Sequence, residues 1–316
     1  MYSKPIIFLV LAMALLLFGC TSPQEESGKM KVVVTLLPQA EFAEEVVGDN
    51  AEVIVMVPPG ASPHSYEPTP SQLEEVAGSS LYFKVGSGVE FENAWMEDIQ
   101  GVNPGLEVID CSKGIELIPM EEHGHNEHEE HEEHGGEEHE EEHEEEHNHA
   151  HTGLDPHIWN SPRNAKVMVE NMYSALAQED PDNAAYYRAN ADAYISRLDQ
   201  LDSRISTTLE GSRNKEFIVF HPAWGYFAHD YGLEQIAIEE AGKAPTAQNI
   251  QHVVDMAKEH GIKVVFASPQ FSTSSAETVA SEIGGQVILI DPLDKNYLEN
   301  MQNVADAFAA AGGAAN

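Results

Sequence analysis

Cysteine is almost missing from this chain. Its 316 residues hold two, Cys20 and Cys111. Cys20 closes an N-terminal leader, so if it carries lipid no intramolecular disulfide remains, and the redox compartment is not legible from pairing. Cys111 reads as a small buried hydrophobe. Lys and Arg are scarce too, 16 against 54 Asp and Glu, for a net charge of −38. That deficit argues against nucleic acid, because phosphate binding needs clustered Lys and Arg. It suits a cationic partner, although acidity also serves solubility. No glycine-rich phosphate loop is present. Gly86-Ser87-Gly88 lacks a third glycine and runs into Glu90, so it reads as a turn. No His-Glu-x-x-His lies in an apolar helical context. His131-Glu132-Glu133-His134 and His128-Glu129-Glu130-His131 both fail that test.

The apolar run Ile6–Phe18 is too short to span a bilayer as a mature helix. Lys4 precedes it, and it ends in Leu17-Phe18-Gly19-Cys20. The arrangement resembles a lipoprotein signal whose cleavage leaves Cys20 as a lipid-bearing N-terminus, with Phe18 standing where a small residue is usual. An uncleaved anchor or a plain secretory signal is the alternative. Residues 1–20 are therefore expected to be a signal and 21–30 a polar tether. The protein is expected outside the cytoplasm, lipid-anchored to the membrane surface or periplasmic.

What the chain has in excess is histidine and glutamate in one place. Glu121–His151 carries fifteen glutamates and ten histidines with no Lys or Arg: His123, His125, His128, His131, His134, His139, His143, His147, His149 and His151. Nothing there can build a core. One reading is a solvated acidic loop. The other is a multivalent collector of metal ions, since imidazole suits transition metals and dense carboxylate raises the local cation concentration. The two are compatible. Without the run, the remainder still holds 39 acids against 16 bases.

The length exceeds one ordinary core, so two lobes are expected. Apolar runs at Lys31–Leu37, Glu52–Val57, Leu81–Val85 and Leu106–Asp110 read as strands, with helices at Ala40–Val47 and Ser71–Ala77. A helix follows over about Ser161–Gln178. Ala184, Tyr187, Ala191, Tyr194, Leu198, Leu201 and Ile205 recur at alternating spacings of three and four, which places them on one face of a single long helix. Pro181 and Asp182 suit its start and Gly211 its end. Ala and Tyr at seam positions pack a coiled-coil dimer poorly, so a monomer with this helix lying along both lobes fits better. Strands at Glu216–Phe220, Gln235–Ile238, Lys263–Ala267 and Gln286–Ile290 then alternate with helices at Ala247–Glu259, Ser274–Glu282 and Tyr297–Ala310. The fold class is α/β, two lobes with parallel sheets. The N-terminal lobe is expected over 31–181, with 121–151 as a disordered insertion, the connecting helix over 182–211 and the C-terminal lobe over 212–316.

Three histidines outside the run have unusual settings. His64 follows Pro58-Pro59-Gly60-Ala61-Ser62-Pro63, just after a strand. His157 sits in Asp155-Pro156-His157. His221 follows a strand and precedes Pro222. Asp291 likewise lies between a strand and Pro292. Open α/β sheets bind ligands past the carboxyl ends of strands, and neighbouring prolines stiffen those loops. Three imidazoles and one carboxylate make an N₃O set suited to Zn²⁺, with Mn²⁺ or Fe²⁺ as alternatives. That set would leave a net +1 site around a divalent ion. His229, His252 and His260 have no flanking signal and read as surface or packing residues.

Pro59-Gly60-Ala61-Ser62-Pro63-His64-Ser65-Tyr66-Glu67-Pro68, Asp155-Pro156-His157-Ile158-Trp159, His221-Pro222-Ala223-Trp224 and Asp291-Pro292-Leu293, in that order and with the long helix, resemble the metal-binding subunits of zinc and manganese ABC importers. The resemblance covers almost the whole mature chain. It implies two lobes joined by one rigid helix with the metal between them. It implies His64, His157 and His221 as ligands, and Asp291 or a water as the fourth. Manganese-selective members often carry a carboxylate where His221 stands, and the histidine-rich insertion is a zinc-type feature, so zinc is favoured. An acidic residue before the first histidine and a C-terminal disulfide, both zinc-type features, are absent. The function expected is capture of Zn²⁺ for a membrane permease and its ATPase, without catalysis. A zinc hydrolase and a zinc-buffering adhesin are the rivals from other classes.

Overall fold

A computed structural model describes residues 29–120, 153–239 and 244–313. The leader, Cys20, most of the tether and the histidine–glutamate run lie outside the described residues.

The N-terminal lobe is built on four strands, β1 Met30–Val34, β2 Ala51–Val55, β3 Leu81–Lys84 and β4 Glu107–Asp110. They pair in the order β2-β1-β3-β4, all parallel, with Val32–Val34 of β1 facing Leu81–Phe83 of β3. Parallel neighbours need crossovers, and helices supply them: α1 Leu37–Val47, α2 Pro70–Ala77 and α3 Glu90–Val102. Val32, Val33 and Val34 are completely buried, as a strand covered on both faces requires. The helix starts follow capping chemistry. At α2, Thr69 accepts from Gln72 N while Gln72 Oε1 accepts from Thr69 N, and Pro70 occupies the first turn.

The chain then runs through α4 Pro162–Glu179 and α5 Ala184–Glu210 into the C-terminal lobe. That lobe holds β5 Glu216–Val219, β6 Glu234–Ala237, β7 Val264–Ala267 and β8 Gln286–Leu289, again all parallel, in the order β6-β5-β7-β8. Its helices are α6 Gly225–Tyr231, α7 Ala247–His260, α8 Ser274–Glu282 and α9 Tyr297–Ala311. Strand alternation divides its apolar residues between two faces. Phe217, Val219 and Phe266 join one core, whereas Ile218, Val265 and Ala267 join another that is covered by α7 and α8.

α5 is 27 residues long, about 40 Å at the helical rise. Tyr187, Ala191, Tyr194, Leu198, Leu201, Ile205 and Leu209 form its buried stripe, packed on α1, α4 and α9. The expected start at Asp182 moves to Ala184, because Pro181–Asn183 forms a separate 3₁₀ turn. The first core runs without a break from the β1 sheet through this stripe to Phe217, Trp224 and Phe308 of the C-terminal lobe. Hydrogen bonds also cross between the lobes: Trp159 Nε1 donates to the Pro292 carbonyl at 2.8 Å and Asn160 Nδ2 to the Ala223 carbonyl at 2.9 Å. Lys295 meets Glu44 at 2.7 Å. Among the described residues no helix is long and apolar enough to cross a membrane.

Two helices have no counterpart in the sequence expectation, α3 and the short α6. The strands expected to end at Leu37, Val57 and Phe220 stop earlier, at Val34, Val55 and Val219. Pro119 and Leu154 form an antiparallel bridge, supported by Met120 N to the Gly153 carbonyl at 2.8 Å. The residues on either side of the histidine–glutamate run are therefore held together.

Candidate metal centre

In both sheets the chain departs in opposite directions from two adjacent central strands, β1 and β3 in one, β5 and β7 in the other. The loops after the strands consequently face a common cleft. His64 comes from the loop after β2, His221 from the loop after β5, and His157 from the segment that leads into α4. These three bring one ring nitrogen each within 4.8 Å of the others, the one such group of three or more His, Cys, Asp or Glu among the described residues. His221 Nε2 lies 3.2 Å from His64 Nε2 and 3.2 Å from His157 Nε2.

The opposite nitrogen of every ring is engaged by a carboxylate. His64 Nδ1 meets Glu90 Oε1 at 2.9 Å, His157 Nδ1 meets Asp155 Oδ1 at 2.7 Å, and His221 Nδ1 meets Glu239 Oε2 at 3.0 Å. A carboxylate only accepts, so each Nδ1 carries the hydrogen and each Nε2 presents its lone pair to the cleft. Three converging lone pairs repel one another unless a cation or proton lies between them. Two nitrogens bound to one tetrahedral Zn²⁺ at ~2.0–2.1 Å stand about 3.3 Å apart, close to the two separations found here. Only the His157 pairing uses a residue from a motif quoted above. Glu90 opens α3 and Glu239 follows β6. Glu239 sits where the strand-end rule that singled out Asp291 would have found it, whereas Glu90 had no such signal. These groups also change the charge expected of the site, because three further carboxylates now border it besides Asp291.

The electrostatics follow from burial. His157 and Glu239 are buried, and His221 is only 5% exposed. Burial pushes the His221 imidazole down to about 4, with the two neighbouring imidazoles acting in the same direction and the Glu239 hydrogen bond opposing them. At Glu90 burial raises the carboxyl, but the hydrogen bond and charge of His64 outweigh it and hold the group below the usual carboxylate range. Both effects favour neutral, ligand-competent imidazole on His221 and ionised carboxylate on Glu90.

Asp291 lies after β8 and outside the group of three. Its Oδ1 accepts from Gln270 Nε2 at 2.7 Å and from the Leu293 amide at 2.8 Å. Gln270, Phe271 and Trp159 join the histidines in lining the cleft. The Phe271 ring lies against His221, with centroids 4.7 Å apart. The space between these side chains is about 10 Å³, on the order of one water, so an ion fits there. Ser87 Oγ donates to the Pro156 carbonyl, so the turn at Gly86-Ser87-Gly88 braces the loop that carries His157. His260 pairs with Glu216, His229 is 69% exposed, and neither joins the cluster. Cys111 is fully buried, which pushes its thiol up. The ten histidines of 121–151 lie outside the described residues.

Comparison with known proteins places this geometry. A family model described as zinc-uptake complex component A, periplasmic (ZnuA), matches residues 32–311. The chain is 34% identical to the high-affinity zinc uptake system protein ZnuA of Bacillus subtilis, over 91% of this chain and 88% of that one. It is 29% identical to the zinc-binding protein AdcA of Streptococcus pyogenes, of which it spans 54%. A crystal structure of ZnuA superposes with a TM-score of 0.79 at 36% identity, covering 90% of this chain and all of that one. A zinc-bound ZnuA deletion mutant lacking 138–173 in its own numbering gives 0.78 at 36% identity, covering 92% and 100%.

Proposed function

The chain belongs to the zinc-uptake component A (ZnuA) family, and from that membership we propose that it captures Zn²⁺ outside the cytoplasm and delivers it to the permease and ATPase of an ABC importer. The observation that carries this reading is the convergence of three Nε2 atoms whose Nδ1 partners are all carboxylates. His64, His157 and His221 bind the ion, and Asp291 or a water completes the shell. Three imidazoles suit zinc better than the harder Mn²⁺. The ten histidines of the run act as a weak collector, and Cys20 anchors the protein at the membrane by lipid. Residues 31–181 and 212–316 serve as the lobes and 182–211 as the strut between them.

Transport rather than catalysis fits the cleft. Phe271 and Trp159 wall it, and the three carboxylates beside the histidines are already engaged in orienting imidazoles.

Zinc titration in competition with a chromophoric chelator tests the reading. One tight site per chain is expected. Alanine at His64, His157 or His221 should each weaken it by more than ~100-fold, beyond the 10–100-fold typical of losing a group that only supports a ligand. Absence of a tight site, or retention of it in all three variants, overturns the assignment.

A further inference from the structure

The position of Asp291 is held by other groups. Its main chain is fixed on two sides: Asn300 Nδ2 donates to the Asp291 carbonyl at 2.6 Å, and Trp159 Nε1 donates to the next carbonyl, Pro292, at 2.8 Å. The backbone therefore has little freedom to carry the carboxylate towards or away from the histidines, and rotation of the side chain is the motion left. That rotation is opposed at a single oxygen, where Oδ1 takes hydrogen bonds from both Leu293 N and Gln270 Nε2. The Leu293 bond is local, two residues along the same loop. The Gln270 bond comes from the loop after β7, the strand paired with β8. Gln270 also lines the cleft with the three histidines, and its Oε1 is a buried acceptor with no partner among the described residues.

We infer that Gln270 is a specificity-determining residue: it fastens the Asp291 carboxylate in place and keeps the cation's shell dominated by three imidazoles. The inference rests on the zinc-binding reading above. With Oδ1 fastened by two hydrogen bonds the side chain is held in one rotamer, which limits where its other oxygen can reach. A released carboxylate adds a hard, anionic oxygen to the set, and such oxygen donors raise the relative affinity for Mn²⁺ over Zn²⁺.

The test uses the full chain with Gln270→Ala, Gln270→Met, Asp291→Ala and the Gln270→Ala/Asp291→Ala double variant. Zn²⁺ and Mn²⁺ affinities are read by chelator competition, and coordination by the visible absorption of Co²⁺ as a probe ion. Gln270→Ala should shift the Mn²⁺/Zn²⁺ affinity ratio about tenfold towards Mn²⁺ and change the Co²⁺ band. Gln270→Met, which preserves side-chain length without the amide, should do the same, and circular dichroism checks that each variant is folded. In the Asp291→Ala background the Gln270 substitution should have no further effect on either readout. An unchanged ratio and band in both single Gln270 variants overturns the inference, as does a shift that persists without Asp291. Failure of the wild type to bind zinc tightly would instead defeat the function it rests on, and the two failures are read from different proteins.

Discussion

Glu239 shows what a single carboxylate contributes here. It is buried beside His221 Nδ1 at 3.0 Å and fixes both the tautomer and the ring orientation of that histidine. Glu239→Ala should lower zinc affinity by about 10–100-fold, whereas Glu239→Gln, whose side-chain carbonyl still accepts the Nδ1 hydrogen, should cost less. Isothermal titration distinguishes them, and equal affinity in the alanine variant would show that the carboxylate does not tune the ligand. His221 also sets a pH dependence. Its imidazole is pushed down to about 4 in the folded protein, against ~6.5 when unfolded. Between those values the unfolded chain binds a proton that the folded one does not. The stability is therefore full above ~6.5 and is lost as pH falls towards 4, at up to ~1.4 kcal/mol per pH unit from this group. Chemical denaturation of chelator-treated protein at pH 7 and pH 5 should show the loss, and His221→Gln should flatten it. At this scale the three histidines were legible in the sequence because each stands beside a proline in a strand-end loop or an Asp-Pro-His string. Glu90 was not, because nothing local marks it and its importance lies in the ring it reaches 26 residues away. Glu239 and Gln270 do follow strands, but the partners that give them their roles lie 18 and 21 residues away along the chain.

Among the elements, α6 matters more to the site than its seven residues suggest. Its first residue is Gly225, where an added Cβ would collide with Asp155 Oδ2, the carboxylate that orients His157. Glycine is needed there for room. Gly225→Ala should destabilise the protein by ~1–3 kcal/mol through overpacking and should also weaken zinc binding, because Asp155 must move. A thermal melt measures the first effect and chelator competition the second. Normal affinity would mean that Asp155 can shift without His157. The sequence expectation lacks α3 although Phe91, Trp95, Ile99 and Val102 recur there at helical spacing. Only Phe91, Glu92 and Ile99 of its thirteen residues are buried. Glu92 is one of those three, and its carboxylate is taken up by Thr35 Oγ1 and the Val85 and Gly86 amides, which a pattern of apolar residues does not register. By contrast α5 displays seven buried residues in helical register, and its sequence could be read almost to the residue. The strands were found but overextended, because Thr35 and Leu36 are buried like strand residues although the chain is already turning into α1 at Leu37.

For the whole molecule, the bridge between Pro119 and Leu154 holds together the two points of the chain that flank the histidine–glutamate run. Removing residues 121–149 should therefore leave the tight zinc site intact and abolish several weaker ones. Titration of the two proteins side by side checks this, and loss of the tight site in the shortened chain would show that the run supplies a ligand. The lobes themselves could be anticipated from strand–helix alternation. The contacts that close them on one another could not, since pairings such as Trp159 with Pro292 and Lys295 with Glu44 span 133 and 251 residues.

The apolar stripe of α5 belongs at once to the packing of both lobes. Neither lobe keeps a complete interior if the other melts, because Tyr194, Leu198 and Leu201 would lose contacts on the side that opened. The structure is thus one cooperative unit along that seam, and heat should produce a single main transition with closely matched calorimetric and van't Hoff enthalpies. An ion bound by the three histidines then stabilises the entire chain, by a free energy set by its concentration relative to its dissociation constant.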